Sequence, residues 1–134
     1  MSATTPRQPP RALRDKGLCI PALDSSVDIS AGKEQVQAAK DLIDLAAAAG
    51  VERVVVVAQN DDEDAIHAAL AELVPYAEAS DVVLLIESSG IFSSTTRMAG
   101  IMDRYASDYL GTLWDVHNVY RTGGETPAQT VKNL

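Results

Sequence analysis

The chain has 134 residues, 46% hydrophobic and 4% aromatic, which is enough apolar material for one domain with a buried core. Its net charge of −8 argues against nonspecific binding to a nucleic-acid backbone, so we expect no nucleic-acid partner. The single cysteine excludes an internal disulfide framework, and the sequence contains neither a long apolar span nor a secretory signal. These features predict a cytoplasmic protein that does not act at a membrane.

The first 32 residues of the chain are irregular in pattern. Residues 1–11 are polar and rich in proline, which predicts a disordered tail ahead of one domain over residues 12–134. Within that domain, Leu18 to Leu23 indicates a short buried strand that would contain Cys19, and Asp24 to Gly32 is predicted to be loop.

From residue 33 onwards, helical and strand patterns alternate. Lys33 to Ala49 has one apolar face and is followed by Gly50, a good helix-ending residue, so it predicts a helix. Val54 to Ala58 is a β-branched run typical of a buried parallel strand. A third helix follows, which Pro75 should kink or split because proline removes one helical hydrogen bond.

Two later apolar runs each end in a carboxylate. Val82 to Ile86 is followed by Glu87, and Tyr109 to Trp114 is followed by Asp115. A helical pattern over 95–106 separates the runs, and such a crossover joins parallel strands. We therefore expect both carboxylates at the C-terminal edge of one sheet, on strands about 4.8 Å apart.

The end of the chain is predicted to be a loop followed by a helix. The segment from Asn118 to Glu125 is polar and contains two glycines, which is typical of a loop. Thr126 and Pro127 then suit the N-cap and first position of a last helix. The chain thus contains four predicted βα units.

The sequence resembles the xylose isomerase-like TIM-barrel family. The resemblance is carried by LLIESSGIFSSTT, LGTLWDVHNVYRTGGETP, GLCIPALDSS, AAAAGVERVVVVA and LVPYAEASDVVLLIE. The shared features are a Glu closing one strand, an Asp closing the next, a His just after it and a GGE-x-P turn. This family includes sugar phosphate isomerases and epimerases, hydroxypyruvate isomerase, tagatose-type epimerases, inosose dehydratase and, more distantly, endonuclease IV. Because a complete barrel takes about 250 residues, the resemblance implies an α/β fold of about half a barrel.

The resemblance also implies roles for individual residues. Glu87 and Asp115 match two of the family's four ligands for a divalent metal, and Glu87 is also a catalytic candidate. His117 matches a histidine near the metal that helps to position substrate, so it is a second catalytic candidate and an expected substrate contact. Asn118 and Arg121 are the other expected substrate contacts. The chain departs from the family in having His117 followed by Asn118, where many relatives have a second histidine nearby. The later strands, which in the family supply another His ligand and a second catalytic Glu, are also missing.

The implied function is isomerase or epimerase chemistry on a small sugar, sugar phosphate or hydroxy-carbonyl compound. Such reactions remove a proton from carbon and hold negative charge on oxygen, which a carboxylate and a bound cation can do together. Two carboxylates and one imidazole suit Mn²⁺, Mg²⁺ or Co²⁺ better than Zn²⁺.

Three alternatives stay open. The first is a catalytically inactive truncated barrel whose unpaired strand edges are covered by self-association, and which acts as an assembly or binding module or exists only as a gene fragment. Unpaired edges of apolar strands favour a homo-oligomer. The second is a phosphodiesterase like endonuclease IV, which the acidic charge and the scarcity of histidine oppose. The third is an unrelated doubly wound domain, but the chain lacks a Gly-rich phosphate loop.

Each candidate residue also has a purely structural interpretation. Glu87 could pair with Arg97 or cap the next helix, and Asp115 could simply form a turn. We favour the structural interpretation for Glu125, as an acidic first-turn residue before the last helix, and for Trp114, as packing.

Overall fold

The sheet has four parallel strands in chain order. The computed structural model describes residues 10–134, so most of the predicted N-terminal tail lies outside the described residues. The strands are β1 (Leu23–Asp28), β2 (Arg53–Val57), β3 (Val83–Glu87) and β4 (Leu110–Leu113), paired in the order β1-β2-β3-β4. This is the predicted arrangement of parallel βα units, with half of the eight strands of a complete TIM barrel.

The helices begin and end where local chemistry favours it. They are α1 (Arg11–Arg14), α2 (Lys33–Ala49), α3 (Glu63–Ser80), α4 (Thr95–Tyr105), α5 (Val116–Arg121) and α6 (Pro127–Asn133), with a 3-10 turn at Gly90–Ser93. Helix α2 ends at Gly50 in the left-handed conformation, and α6 begins with a capping box between Thr126 and Gln129, so both predicted helix ends are confirmed. No helix within residues 10–134 is long and apolar enough to cross a membrane.

The two faces of the sheet differ in their partners. Leu23, Val54, Leu84 and Leu110 lie in one register line. All four pack in the apolar core beneath the helices. Side chains of alternate residues point to opposite faces, so Leu85 and Glu87 lie on the face away from the helices. On that face a Cβ at Gly111 would lie 2.9 Å from Leu85 Cδ2, so the site favours glycine.

The first strand lies later in the chain than predicted. Residues 18–22 are irregular and Cys19 is exposed, so the buried strand expected at Leu18 to Leu23 is wrong. Most of the predicted loop after Leu23 is instead β1, whose Asp24 and Ser26 are exposed. An edge strand with one solvated face needs no continuous apolar run, which is why the apolar pattern misplaced it.

The structure decides between alternatives for one helix and corrects the start of a predicted loop. Of the kink or split expected at Pro75, the split does not occur, because α3 continues through Pro75 to Ser80. Pro75 is exposed on the outer side of the helix, where water can satisfy the carbonyl that the proline leaves without a donor. The predicted loop from Asn118 also begins inside α5, because the Asp115 side chain accepts from the Asn118 N–H and caps that helix.

Candidate functional site

The two strand-end carboxylates lie at the same edge of the sheet. Glu87 is the last residue of β3 and is the register partner of Leu113 on β4. Asp115 follows two residues later as the N-cap of α5. Both residues are partly buried. Each carboxylate therefore remains accessible to an ion or a substrate, while part of it is shielded from water.

The Asn118 side chain joins these two carboxylates. Its amide Nδ2 lies 3.3 Å from Glu87 Oε1 and 3.0 Å from Asp115 Oδ2, and it donates to both oxygens. The Asn118 backbone N–H also donates to Asp115 Oδ1 at 3.0 Å. One neutral donor group therefore lies where the two negative oxygens converge. Its proximity to both predicted ligands gives Asn118 a positioning role that the sequence did not indicate.

Ser88 attaches the two strand ends to each other. Its side chain is fully buried, its N–H donates to the carbonyl of Leu113 at 2.9 Å, and its Oγ accepts from the Asp115 N–H at 2.7 Å. These two bonds set the position of the Asp115 backbone relative to Glu87. The sequence shows Ser88 only as one of several loop serines, because its role depends on a helix N-cap 27 residues away.

The other predicted site residues are less closely connected. His117 and Arg121 lie in the first and last turns of α5, and both are exposed. Within residues 10–134, neither side chain forms a hydrogen bond or ion pair with Glu87 or Asp115. Their helix begins at the carboxylate pair, so they lie near the edge of the site but not within it.

A cavity of about 360 Å³ opens beside Glu87 and adds residues that the sequence analysis missed. Its lining includes Asp24 and Ser26 of β1, Val57 of β2 and Gln59 just after β2. Gln59 directly follows the apolar run Val54 to Ala58, as Glu87 follows the run Val82 to Ile86, and this position after an apolar run was the available signal. Asp24 had a similar signal, because it directly follows the apolar run Leu18 to Leu23, but the structure places it inside β1 and not after a strand.

Glu125 has a structural role that extends beyond the one predicted. Its carboxylate accepts from the Thr95 N–H at 2.9 Å, from the Thr95 hydroxyl, and from the Thr130 hydroxyl at 3.3 Å. It therefore caps the first turn of α4 in addition to its contact with α6, the helix that follows it. Gly123 allows this contact, because a Cβ there would lie 2.0 Å from the carbonyl oxygen of Ser93.

Arg97 does not pair with Glu87. It donates to Asp61 at 2.5 Å and to Glu63 at 2.9 Å, near the start of α3. The hydrogen bond and charge of Arg97 hold the pKa of the Asp61 carboxyl below its usual range. The structural alternative for Glu87, an ion pair with Arg97, is thereby removed.

The carboxylate pair alone does not form a complete protein metal shell. Within residues 10–134, no three or more His, Cys, Asp or Glu side chains are grouped so that they could hold an ion. Two carboxylates fit an ion that keeps several water ligands, as Mg²⁺ does, better than one that needs four protein ligands, as structural Zn²⁺ does.

Comparisons with known proteins agree with this fold. The family model described as xylose isomerase-like TIM barrel matches residues 3–133. A crystal structure of a xylose isomerase-like TIM barrel protein from Mycobacterium smegmatis in complex with magnesium matches with a TM-score of 0.72 at 20% sequence identity. The match covers 90% of this chain and 49% of that one, so this chain spans about half the length of that protein. No curated protein matches the chain.

Proposed function

We propose that this chain, which belongs to the xylose isomerase-like TIM barrel family, binds a divalent cation through Glu87 and Asp115. With that ion it would catalyse proton transfer on a small sugar, sugar phosphate or hydroxy-carbonyl compound, as an isomerase or epimerase. Mg²⁺ or Mn²⁺ suits the donor set best, because carboxylate oxygens are the ligands these ions prefer.

One observation carries this proposal: the Asn118 amide contacts Glu87 Oε1 and Asp115 Oδ2 at the same time. Two carboxylates that share one donor point to a common centre, and like charges held there favour a cation. The solved structure from Mycobacterium smegmatis is a complex with magnesium, which supports a divalent cation as the bound ion.

The residues of the chain divide the chemistry between them. A bound cation would polarise a carbonyl or hydroxyl of the substrate. Within the described residues the Glu87 carboxylate accepts a hydrogen bond from Asn118 through Oε1, which leaves Oε2 available. That oxygen can accept the proton from the carbon beside the carbonyl and deliver it to the former carbonyl carbon on the same face. The hydroxyl proton passes to the former carbonyl oxygen in the same reaction, which completes an isomerisation, whereas an epimerisation would need a second proton donor on the opposite face.

The remaining roles concern binding of the substrate. The cavity beside Glu87 is lined by polar groups of Asp24, Ser26 and Gln59, which can bind hydroxyl groups. His117 and Arg121, exposed on α5 near the site, are the proposed contacts for a more distant hydroxyl or phosphate. Asn118 holds the carboxylates in place.

The test is titration of the metal-stripped protein with Mn²⁺, in which isothermal calorimetry measures the binding. We expect saturable binding that weakens tenfold or more in Asp115→Asn and in Glu87→Gln, since each removes one charged ligand. Asp64→Asn makes the same chemical change at an exposed carboxylate on α3 and should bind like wild type. Equal affinity in all four proteins would refute the site.

Turnover of aldose and ketose substrates, with and without phosphate, tests the reaction itself. Loss of isomerisation in Glu87→Gln with the fold intact is the expected result. A phosphodiesterase remains the less favoured function, because a net charge of −8 opposes approach to a nucleic-acid backbone.

A further inference from the structure

The cavity beside Glu87 has Asp24 of β1 as part of its wall. Leu23 packs in the apolar core beneath the helices, so Asp24, the next residue, lies on the opposite face of the sheet. Asp24 is the register partner of Val55, which in turn pairs with Leu85. Glu87 lies two residues beyond Leu85 and therefore on the same face. The two carboxylates thus lie on one face of the sheet and line one cavity.

The charge of Asp24 is separate from the carboxylate pair of the proposed metal site. Within residues 10–134, neither Asp24 nor Glu87 forms an ion pair. No three His, Cys, Asp or Glu side chains in this part of the chain are grouped so that they could hold a metal ion, so Asp24 is not a third ligand beside Glu87 and Asp115. A cation bound by that pair would therefore leave the negative charge of Asp24 in the cavity.

The other polar groups that line the cavity are neutral. Its volume of about 360 Å³ is in the lower part of the range for small-molecule sites, about 300–1,000 Å³. Ser26 supplies a hydroxyl and Gln59 an amide, and each can donate and accept a hydrogen bond. Gln59 is held in place, because its N–H donates to Asp28 Oδ1 at 3.2 Å and because a Cβ at Gly90 would lie 2.9 Å from its Oε1. Neutral donors and acceptors beside carboxylates, which only accept, match the hydroxyl groups of a polyol.

We propose that this cavity binds the neutral, hydroxyl-bearing end of the substrate, and that Asp24 excludes an end that carries a carboxylate or a phosphate. The inference rests on the proposed function, in which Glu87 moves the proton, and it names the substrate class at that site. A hydroxyl group donates to a carboxylate, whereas a second anion is repelled by it. Because α5 follows β4, it lies on the other side of β3 from β1. A phosphate on the substrate therefore lies toward α5, where Arg121 is exposed.

The test compares xylitol with D-xylonate, two five-carbon probes that differ at one end, where xylonate carries a carboxylate. Each probe is titrated at neutral pH into metal-free protein, because a bound cation would attract the carboxylate of xylonate and mask the effect. Two-dimensional proton–nitrogen spectra of the 14.2 kDa chain show which backbone amide signals move. We expect xylitol to shift the signals of Asp24, Ser26 and Gln59, and xylonate to bind about tenfold more weakly or worse, since like charges repel in a partly enclosed cavity.

Three variants show whether Asp24 causes this discrimination. Asp24→Asn keeps the size of the side chain and removes its charge, so xylonate should then bind within about threefold of xylitol. Ser26→Asp adds a third carboxylate to the cavity and should weaken xylonate further. Asp64→Asn makes the same change as Asp24→Asn at an exposed carboxylate on α3, outside the cavity, and should keep the wild-type ratio of the two affinities.

The proposal is overturned if xylitol shifts none of the three signals, with or without millimolar Mg²⁺. It is also overturned if xylonate binds metal-free wild type as tightly as xylitol does, or if Asp24→Asn leaves the ratio of the two affinities unchanged. Calorimetry with Mn²⁺ reports on the metal site separately. A protein that binds Mn²⁺ and does not distinguish the probes refutes this inference alone, and a protein that distinguishes them without binding Mn²⁺ refutes the metal site alone.

Discussion

The fully buried hydroxyl of Ser88 accepts a hydrogen bond from the Asp115 N–H at 2.7 Å. This bond connects the end of β3 to the N-cap of α5. The same residue donates its N–H to Leu113, so two hydrogen bonds hold the ends of β3 and β4 together. The distance between Glu87 and Asp115 therefore depends on a residue that contributes no charge.

Replacing Ser88 by alanine should lower the free energy of unfolding by about 1–3 kcal/mol, because the partly buried Asp115 N–H loses its acceptor. Urea unfolding measures this. Ser89→Ala is the matched control, since its hydroxyl is also buried but has no partner among the described residues. That variant should be neutral or slightly stabilising, and equal losses in both would contradict the role assigned to Ser88.

Replacing Asn118 by aspartate should destabilise the metal-free protein by about 1 kcal/mol or more, because a third carboxylate replaces the amide that bridges the other two. Thermal melting with and without Mn²⁺ provides the measurement. Added Mn²⁺ should recover more stability in this variant than in wild type, since the ion gains a ligand.

The comparison variant is Gln37→Glu, which adds a carboxylate beside Asp41 on the exposed face of α2. It should show no additional response to Mn²⁺. A response of the same size in both variants would indicate nonspecific binding of the ion to acidic surface.

Replacing Gly123 by alanine should destabilise the fold by about 1–3 kcal/mol or more, because the new Cβ would lie 2.0 Å from the Ser93 carbonyl oxygen, which belongs to the backbone. The cap that Glu125 makes on α4 should be weakened at the same time. Gly100→Ala in the same helix meets nothing within 4 Å and should stabilise by about 0.5–1 kcal/mol. The midpoint of chemical denaturation should therefore fall in Gly123→Ala and rise in Gly100→Ala. A shift of both midpoints in the same direction would rule out this account of the GGE turn.

Stability should depend on pH through Asp61. Arg97 lowers the folded-state pKa of this carboxyl, first by a hydrogen bond and then by its charge. A lowered folded-state pKa means that the stabilisation is present above the unfolded value of 3.8 and is lost as pH falls through the folded value. The stability difference between wild type and Asp61→Asn should therefore shrink on acidification, and high salt should reduce it because the pair is exposed. An unchanged difference at all pH values would contradict the contribution of this ion pair.

The sequence was informative where structure depends on neighbouring residues. Helix α2, its end at Gly50 and the N-cap at Thr126 follow from periodicity and from the chemistry of short segments. The positions of Glu87 and Asp115 at one sheet edge follow from the rule that a helical crossover joins parallel strands. The motifs around these two residues also identified the family, which the match over residues 3–133 confirms.

Only the tertiary structure decided features that depend on residues distant in sequence. Asn118 lies 31 residues from Glu87, and Glu125 lies 30 residues from the helix start that it caps. Strand β1 is recognisable mainly by its pairing with β2, because an edge strand can expose polar residues without an apolar pattern. Periodicity reports which face of an element is buried, but it does not report which polar groups meet across elements, and in this protein those contacts form the candidate site.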